Sequence, residues 1–325
     1  MDRKLSGAAL GLNERAWRIA DRLAADASAW RVAVGRLPGG ARVIDAGIAV
    51  AGGHGAGLAL AEICMGGLGD LAFVPLPIGG ETWPGVRVWS DQPAVSCVAS
   101  QYAGWTIQVG KYFALGSGPL RAHARVETGL FAKLGYAETA ERGVLVLETR
   151  NPPTDEVAAW VGEKAGLEPA ALTFVVAPTA SLAGGGQVAA RILETGLHKM
   201  DALAFDLKRV VSGMGWAPLP PLAKSDLRAM GRTNDCILYG GQAYYTVDAD
   251  DGELAALAPR IPASASPDYG TPFYEIFKRY DSDFYKIDPL LFSPAEVWLT
   301  STRSGKTYHA GLVNPEVLRA SLFES

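Results

Sequence analysis

Apolar residues along this chain come in short bursts of two spacings, cut by glycine and proline rather than by long polar stretches. Trp17, Ala20 and Leu23 stand three apart with charges between them, the spacing of a helix with one buried face, and Asn13 is placed to cap it. Residues 32–34 and 42–44, separated by Pro38-Gly39-Gly40, predict a strand pair, and 56–64 a small helix. From 71 to 98, β-type runs broken by Pro75, Pro77, Gly79-Gly80, Pro84 and Pro93 predict a loop-rich sheet rather than a helix. The next helix is expected from Pro119, which gives up no hydrogen bond in a first turn, with Leu120, Ala124 and Leu134 inward. Strands are expected over 143–148 and 172–176. Between them, Thr154 caps a helix that buries Val157, Trp160 and Val161 and ends at Gly166.

Length and composition set the scale of this pattern. The chain has 325 residues, beyond the roughly 250–300 at which single cores stop growing, so an α/β protein of mixed α+β character with two lobes is expected. The lobes are placed at 1–90 with 225–325, and at 91–224. An apolar share of 49% and a net charge of −4 exclude a disordered tail, a collagen-like repeat and a disulfide scaffold. Without a Lys/Arg run, no nucleic-acid partner is expected. Cys64, Cys97 and Cys236 are odd in number and far apart, as buried thiols of a reducing compartment are. No run approaches the ~18 apolar residues of a membrane span, and none of signal-peptide length follows Arg3 and Lys4, so a cytoplasmic protein with no membrane partner is expected.

Three segments carry candidate chemistry. In the first, a strand is expected to run through Pro178-Thr179-Ala180-Ser181 and Gly184-Gly185-Gly186 into a helix starting near Gln187. Arg191 and Glu194 then share one face, with His198 a turn beyond. A solvated ion pair worth a few tenths of a kcal/mol is the ordinary reading of that spacing. The apolar neighbours Val188, Ala189, Ala190, Ile192 and Leu193 argue instead for a half-buried pair. The second segment is Gly231-Arg232-Thr233-Asn234-Asp235 ahead of a strand-like run at 236–238, which lines a pocket or makes a hydrogen-bonded turn. The third joins Ser100-Gln101-Tyr102-Ala103-Gly104-Trp105 to Gly116-Ser117-Gly118-Pro119, with Arg121 following. Such a glycine-rich loop at a helix start can hold an anion, although it matches neither the P-loop nor the dinucleotide fingerprint. His54, His123, His198 and His309 lack metal-ligand spacing, and there is no G-x-S-x-G elbow, so neither a metal nor a serine nucleophile is expected.

The strings around these segments resemble the methenyltetrahydromethanopterin cyclohydrolase family. The resemblance is carried by Ala177-Pro178-Thr179-Ala180-Ser181-Leu182-Ala183-Gly184, Gln187, Ala190-Arg191, Glu194-Thr195 and Leu197-His198-Lys199. It extends to Cys64-Met65-Gly66-Gly67-Leu68-Gly69, the third segment, Ala229-Met230-Gly231-Arg232-Thr233-Asn234-Asp235, Asp268-Tyr269-Gly270 and Asp283-Phe284-Tyr285-Lys286. Gly186 and the loose run at 51–57 depart from the family text. The resemblance implies two α/β lobes with the pterin in the cleft between, and hydrolysis of the methenyl bridge to the 5-formyl compound in methane metabolism or bacterial formaldehyde oxidation. It implies a homotrimer, no prosthetic group, and tetrahydromethanopterin or its dephospho form as carrier substrate. It places the catalytic pair on Arg191 and Glu194, and candidate substrate contacts on Gln101, Ser117, Arg121, Gln187, Thr233, Asn234, Asp235 and Tyr269. Aromatic stacking falls to Tyr102, Trp105 or Tyr269. The alternatives are a pterin-binding carrier or regulator without catalysis, and a pterin-linked dehydrogenase, against which the missing G-x-G-x-x-G loop speaks.

Overall fold

The computed structural model describes residues 10–281, 283 and 286–323. The N-terminal stretch with Arg3 and Lys4, and Phe284 and Tyr285 of the family strings, lie outside the described residues. In chain order the strands are β1 (Ala33–Arg36), β2 (Arg42–Asp45), β3 (Asp70–Ile78), β4 (Glu81–Ser90), β5 (Trp105–Val109), β6 (Tyr112–Ser117), β7 (Gly143–Glu148), β8 (Leu172–Ala177), β9 (Val210–Pro218), β10 (Gln242–Val247), β11 (Glu296–Ser301) and β12 (Thr307–Gly311). They form two six-stranded mixed sheets and, with the helices, an α/β fold. The chain divides into two compact units, Met1–Gly69 with Val95–Gln187 and Asp70–Ala94 with Val188–Ser325. These cut the sequence elsewhere than 90 and 224. The cause is β4, which pairs antiparallel with β9 and so draws the hairpin at 70–94 into the second unit.

The first unit's sheet runs β1-β2-β8-β7-β6-β5, with β2, β8 and β7 parallel. Its central strands β7 and β8 are buried along almost their whole length because both faces are covered, as parallel strands require. Val144, Val146 and Val175 pack with the helices Leu12–Ala25 and His54–Cys64. Leu145, Leu147 and Phe174 pack with the helix Asp155–Ala165. That helix has its Thr154 cap and its left-handed Gly166, although Trp160 is only partly buried, against Trp105. The first helix starts differently from the expectation. Its cap position is Gly11, and Asn13 lies inside the helix, where its side chain donates to the Pro119 carbonyl and accepts from Val144 N–H. Long-range tethering has replaced local capping. The helix expected from Pro119 is two, Leu120–Ala124 and Thr128–Leu134, broken at the left-handed Arg125.

Glycines 184–186 are also placed differently. The helix Leu182–Ala189 already contains them, and the strand before it ends at Ala177. A Cβ on Gly184 would sit 2.0 Å from the Pro178 carbonyl oxygen, and one on Gly186 would meet Gly57 Cα at 3.7 Å. Gly184 therefore lets this helix lie close on the Pro178 turn, whereas a side-chain carbon at Gly186 would make an ordinary contact.

The second unit's sheet runs β12-β11-β10-β9-β4-β3, with only β10 and β11 parallel. One face is buried: the helix Ile192–Ala202 seats Leu193 on Gly213, and Tyr245 donates its hydroxyl to the Leu193 carbonyl at 2.9 Å. The other face carries a cross-strand row of Trp89, Met214, Tyr244, Trp298 and His309. The Tyr244 and Trp298 rings stack at 4.1 Å, and Trp298 and His309 at 4.7 Å. At the β3-β4 hairpin, Leu76 and Trp83 form a core with Cys236, Phe273 and Leu318 that gathers the helices Asp226–Leu238, Phe273–Arg279 and Pro315–Phe323. Among the described residues, no helix is long and apolar enough to cross a membrane.

Candidate functional site

Arg191 and Glu194 stand at the start of the Ile192–Ala202 helix, Arg191 at its cap position and Glu194 in its first turn. The expected single helix is thus two, meeting at Ala190-Arg191, and the pair occupies the joint. The apolar neighbours do what the sequence suggested and more, since Arg191 is 7% and Glu194 6% exposed. The first turn of a helix concentrates unpaired N–H groups and the positive end of the dipole, which favours an ionised carboxylate. This opposes the cost of burying its charge. His198, a turn beyond Glu194, is half-buried.

Lys199, to which the sequence pattern assigns no role, is almost fully buried on the same helix and donates to the Leu290 carbonyl. Burial pulls its pKa down to about 8, countered by Asp288 and assisted by Arg260. A lone lysine between Leu197 and Met200 was the only signal of it in the sequence.

The 231–238 stretch is neither turn nor strand. It is the body of the Asp226–Leu238 helix, capped by Ser225. Thr233 and Asn234 both donate to the Met230 carbonyl, at 3.1 and 2.8 Å. Asp235 is fully enclosed and accepts from Phe273 N–H at 2.8 Å and from the Ser321 hydroxyl at 2.5 Å. Burial pushes its pKa up to about 7 against the pull of those two donors. Tyr269 is half-buried and packs at 4.9 Å on Tyr239, whose hydroxyl donates to the Thr271 carbonyl.

In the first unit, the residues expected to continue a loop-rich sheet up to 98 form a π-helix, Ala94–Gln101. π-helical turns are uncommon and concentrate at functional sites. Its carbonyl end is tied down: Gly118 N–H donates to Ser100 and Tyr102 N–H to Cys97, both at 2.8 Å. Gln101 and Arg121 are fully buried, and Ser117 and Gln187 nearly so. Ser117 Oγ lies 3.2 Å from Cys64 Sγ. Tyr102 is half-buried, whereas Trp105 belongs to the core.

The candidates thus divide between the units, with Gln101, Ser117, Arg121 and Gln187 in the first and Arg191, Glu194, Thr233, Asn234, Asp235 and Tyr269 in the second. Among the described residues, no group of three or more His, Cys, Asp or Glu side chains converges as metal ligands would. A hollow of about 280 Å³, lined by Ser212, Gly213, Met214, Trp216, Tyr244 and Thr246, opens on the aromatic face of the second sheet. Leu193 packs on the opposite face, so this hollow is separate from Glu194.

Comparison with known proteins shows the family of the chain. A family profile described as Cyclohydrolase (MCH) matches residues 11–322. A methenyltetrahydromethanopterin cyclohydrolase of Methylobacterium organophilum is 48% identical over 316 residues, which cover 95% of this chain and 97% of the relative. One from Methylobacillus flagellatus is 48% identical over 297 residues, covering 91% and 90%. An archaeal one, from Methanospirillum hungatei, is 43% identical over 308 residues, covering 95% and 97%.

Proposed function

Because the chain belongs to the methenyltetrahydromethanopterin cyclohydrolase family, we propose that Glu194 activates the water that opens the methenyl bridge and that Arg191 keeps its carboxylate ionised and oriented. The enzyme is a hydrolase of a carbon–nitrogen bond in a cyclic amidine, converting 5,10-methenyltetrahydromethanopterin to the 5-formyl compound. The bridge carbon lies between two nitrogens of an amidinium cation and is already electrophilic. The protein must therefore supply a held water and a base within reach of it.

Glu194 takes one proton from that water as the oxygen–carbon bond forms, giving a neutral tetrahedral carbinol. It then delivers the proton to the ring-distal nitrogen. The carbon–nitrogen bond breaks as the carbonyl forms, and the remaining hydroxyl proton leaves to solvent. One water is consumed and one proton released.

The observation that carries this reading is the place of Glu194: 6% exposed, in the first turn of a helix, three residues after a buried arginine. Pterin contacts are assigned to the 100–105 segment with Ser117 and Gln187, and to Tyr269. Asp235 is engaged with Phe273 and Ser321 of two other helices, and Thr233 and Asn234 with the Met230 carbonyl of their own. The bacterial relatives support formaldehyde oxidation as the metabolic setting, and the family resemblance supports a cytoplasmic homotrimer, which sedimentation tests.

The deciding experiment follows loss of the methenyl absorbance with Glu194→Gln. Turnover should fall by about 10²–10⁴, the usual contribution of a positioned general base, with KM held. Near-normal turnover would overturn the role.

A further inference from the structure

We propose that Arg121 is a positioning residue that never touches the substrate: it holds the ring of Tyr102 as the stacking face for the planar pterin. This rests on the proposal that the 100–105 segment contacts the pterin, and it names which side chain there does so and what aims it.

The guanidinium of Arg121 is fully enclosed, and its nitrogens face inward on every side. Nη1 points at three successive carbonyls of the π-helix end, those of Val98, Ala99 and Ser100, at 3.4, 3.4 and 3.2 Å. Nε and Nη2 both donate to Glu127 Oε1, at 3.2 and 2.5 Å. An arginine with these partners has no face left for an anionic ligand, yet no other side chain could serve in its place. Only a planar fork reaches a carboxylate and a row of carbonyls at once.

The same plane lies 5.2 Å from the centre of the Tyr102 ring. Cation and ring attract across this distance, and the attraction grows where water is excluded. The backbone closes the arrangement. A Cβ on Gly104 would stand 1.7 Å from Glu127 Oε1 and 2.7 Å from Tyr102 Cε1, so the chain passes hard against both. Tyr102 is thereby held by the guanidinium on one side and by the returning backbone at its edge, while part of it stays exposed. A half-exposed ring of fixed orientation suits stacking against the flat pyrimidine ring of the reduced pterin.

The test is a double-mutant cycle on steady-state kinetics with Arg121→Lys, Tyr102→Leu and the pair. Each single change should raise KM about three- to tenfold, the worth of one aromatic contact, while kcat stays within about twofold. The double variant should match Tyr102→Leu alone. Glu127→Gln, which retains the shape but weakens the anchor, should reproduce the Arg121→Lys effect and stands in should that variant fail to fold. Multiplying KM effects in the double variant would overturn the role of Arg121 while leaving Tyr102 a contact. A Tyr102→Leu enzyme with unchanged KM would overturn the assignment of the 100–105 segment, and with it the positioning role of Arg121.

Discussion

Asp235 and Glu194 are both carboxylates on helices of the second unit, and each is less than a tenth exposed. Their surroundings differ in how the charge is accommodated. Asp235 sits near the end of its helix, and its two oxygens are taken by the first N–H of the helix Phe273–Arg279 and by a hydroxyl of the helix Pro315–Phe323. It knits three helices together. Glu194 sits at the beginning of its helix, beside Arg191, where the helix itself supplies the favourable field. Burial alone does not mark a reacting acid. Position does more to separate the two, since one acid ties distant elements together and the other stands where a helix favours its ionised form.

The sharpest way to break this contrast is to disable each acid in turn. Glu194→Gln should lose turnover by about two orders of magnitude or more and leave the melting temperature unchanged. Asp235→Ala should do the reverse. Leaving the Phe273 N–H and Ser321 hydroxyl without their acceptor should cost about 1–3 kcal/mol, read as a lower denaturation midpoint, with kcat changed by less than about threefold.

The pH dependence sharpens the comparison further. Asp235, and Glu138 in the first unit, are both raised by burial to about 7 from ordinary carboxylate values near 4. For such groups the folded state binds the proton more tightly. Their contribution to stability is complete below the unfolded pKa and is lost as pH rises through about 7. Melting temperature should therefore fall between about pH 4 and pH 7. Asp235→Asn should flatten that slope, and an unchanged slope would show that Asp235 ionises normally.

The smallest effect concerns Lys199. Its folded pKa is depressed to about 8, so its contribution is present above the ordinary lysine value and lost as pH falls through about 8. Lys199→Met should remove a shallow rise in stability between about pH 8 and pH 10.

Legibility from sequence followed the range of the forces involved. The strand at 143–148 and the helix between Thr154 and Gly166 were readable because their signals, unbroken apolar runs and local caps, lie within the elements themselves. So was the burial of Arg191 and Glu194, whose apolar neighbours are adjacent in the chain. Asp235 was not, because its partners are 38 and 86 residues away. Gly184-Gly185-Gly186 read as the end of a strand running into a helix from Gln187 because glycine disfavours helix on its own, and only the close approach of Pro178 to Gly184 shows why glycine is tolerated at this place. The same holds for Asn13, a good local cap used instead as a tether between the first helix, β7 and Pro119. The π-helix is not legible in the sequence because its hydrogen-bonding pattern leaves no composition of its own.

That π-helix has a further consequence for how the site tolerates change. A wide turn holds one more residue than the α-turn it would otherwise be, so it works as an inserted letter in a ruler. Removing a single residue between Ala94 and Gln101 would let the segment tighten to ordinary pitch, and every side chain beyond the deletion would swing by about 100°. Tyr102 would then leave the plane of the Arg121 guanidinium altogether. A segment built this way accepts exchanges of side chains more readily than any change in their number.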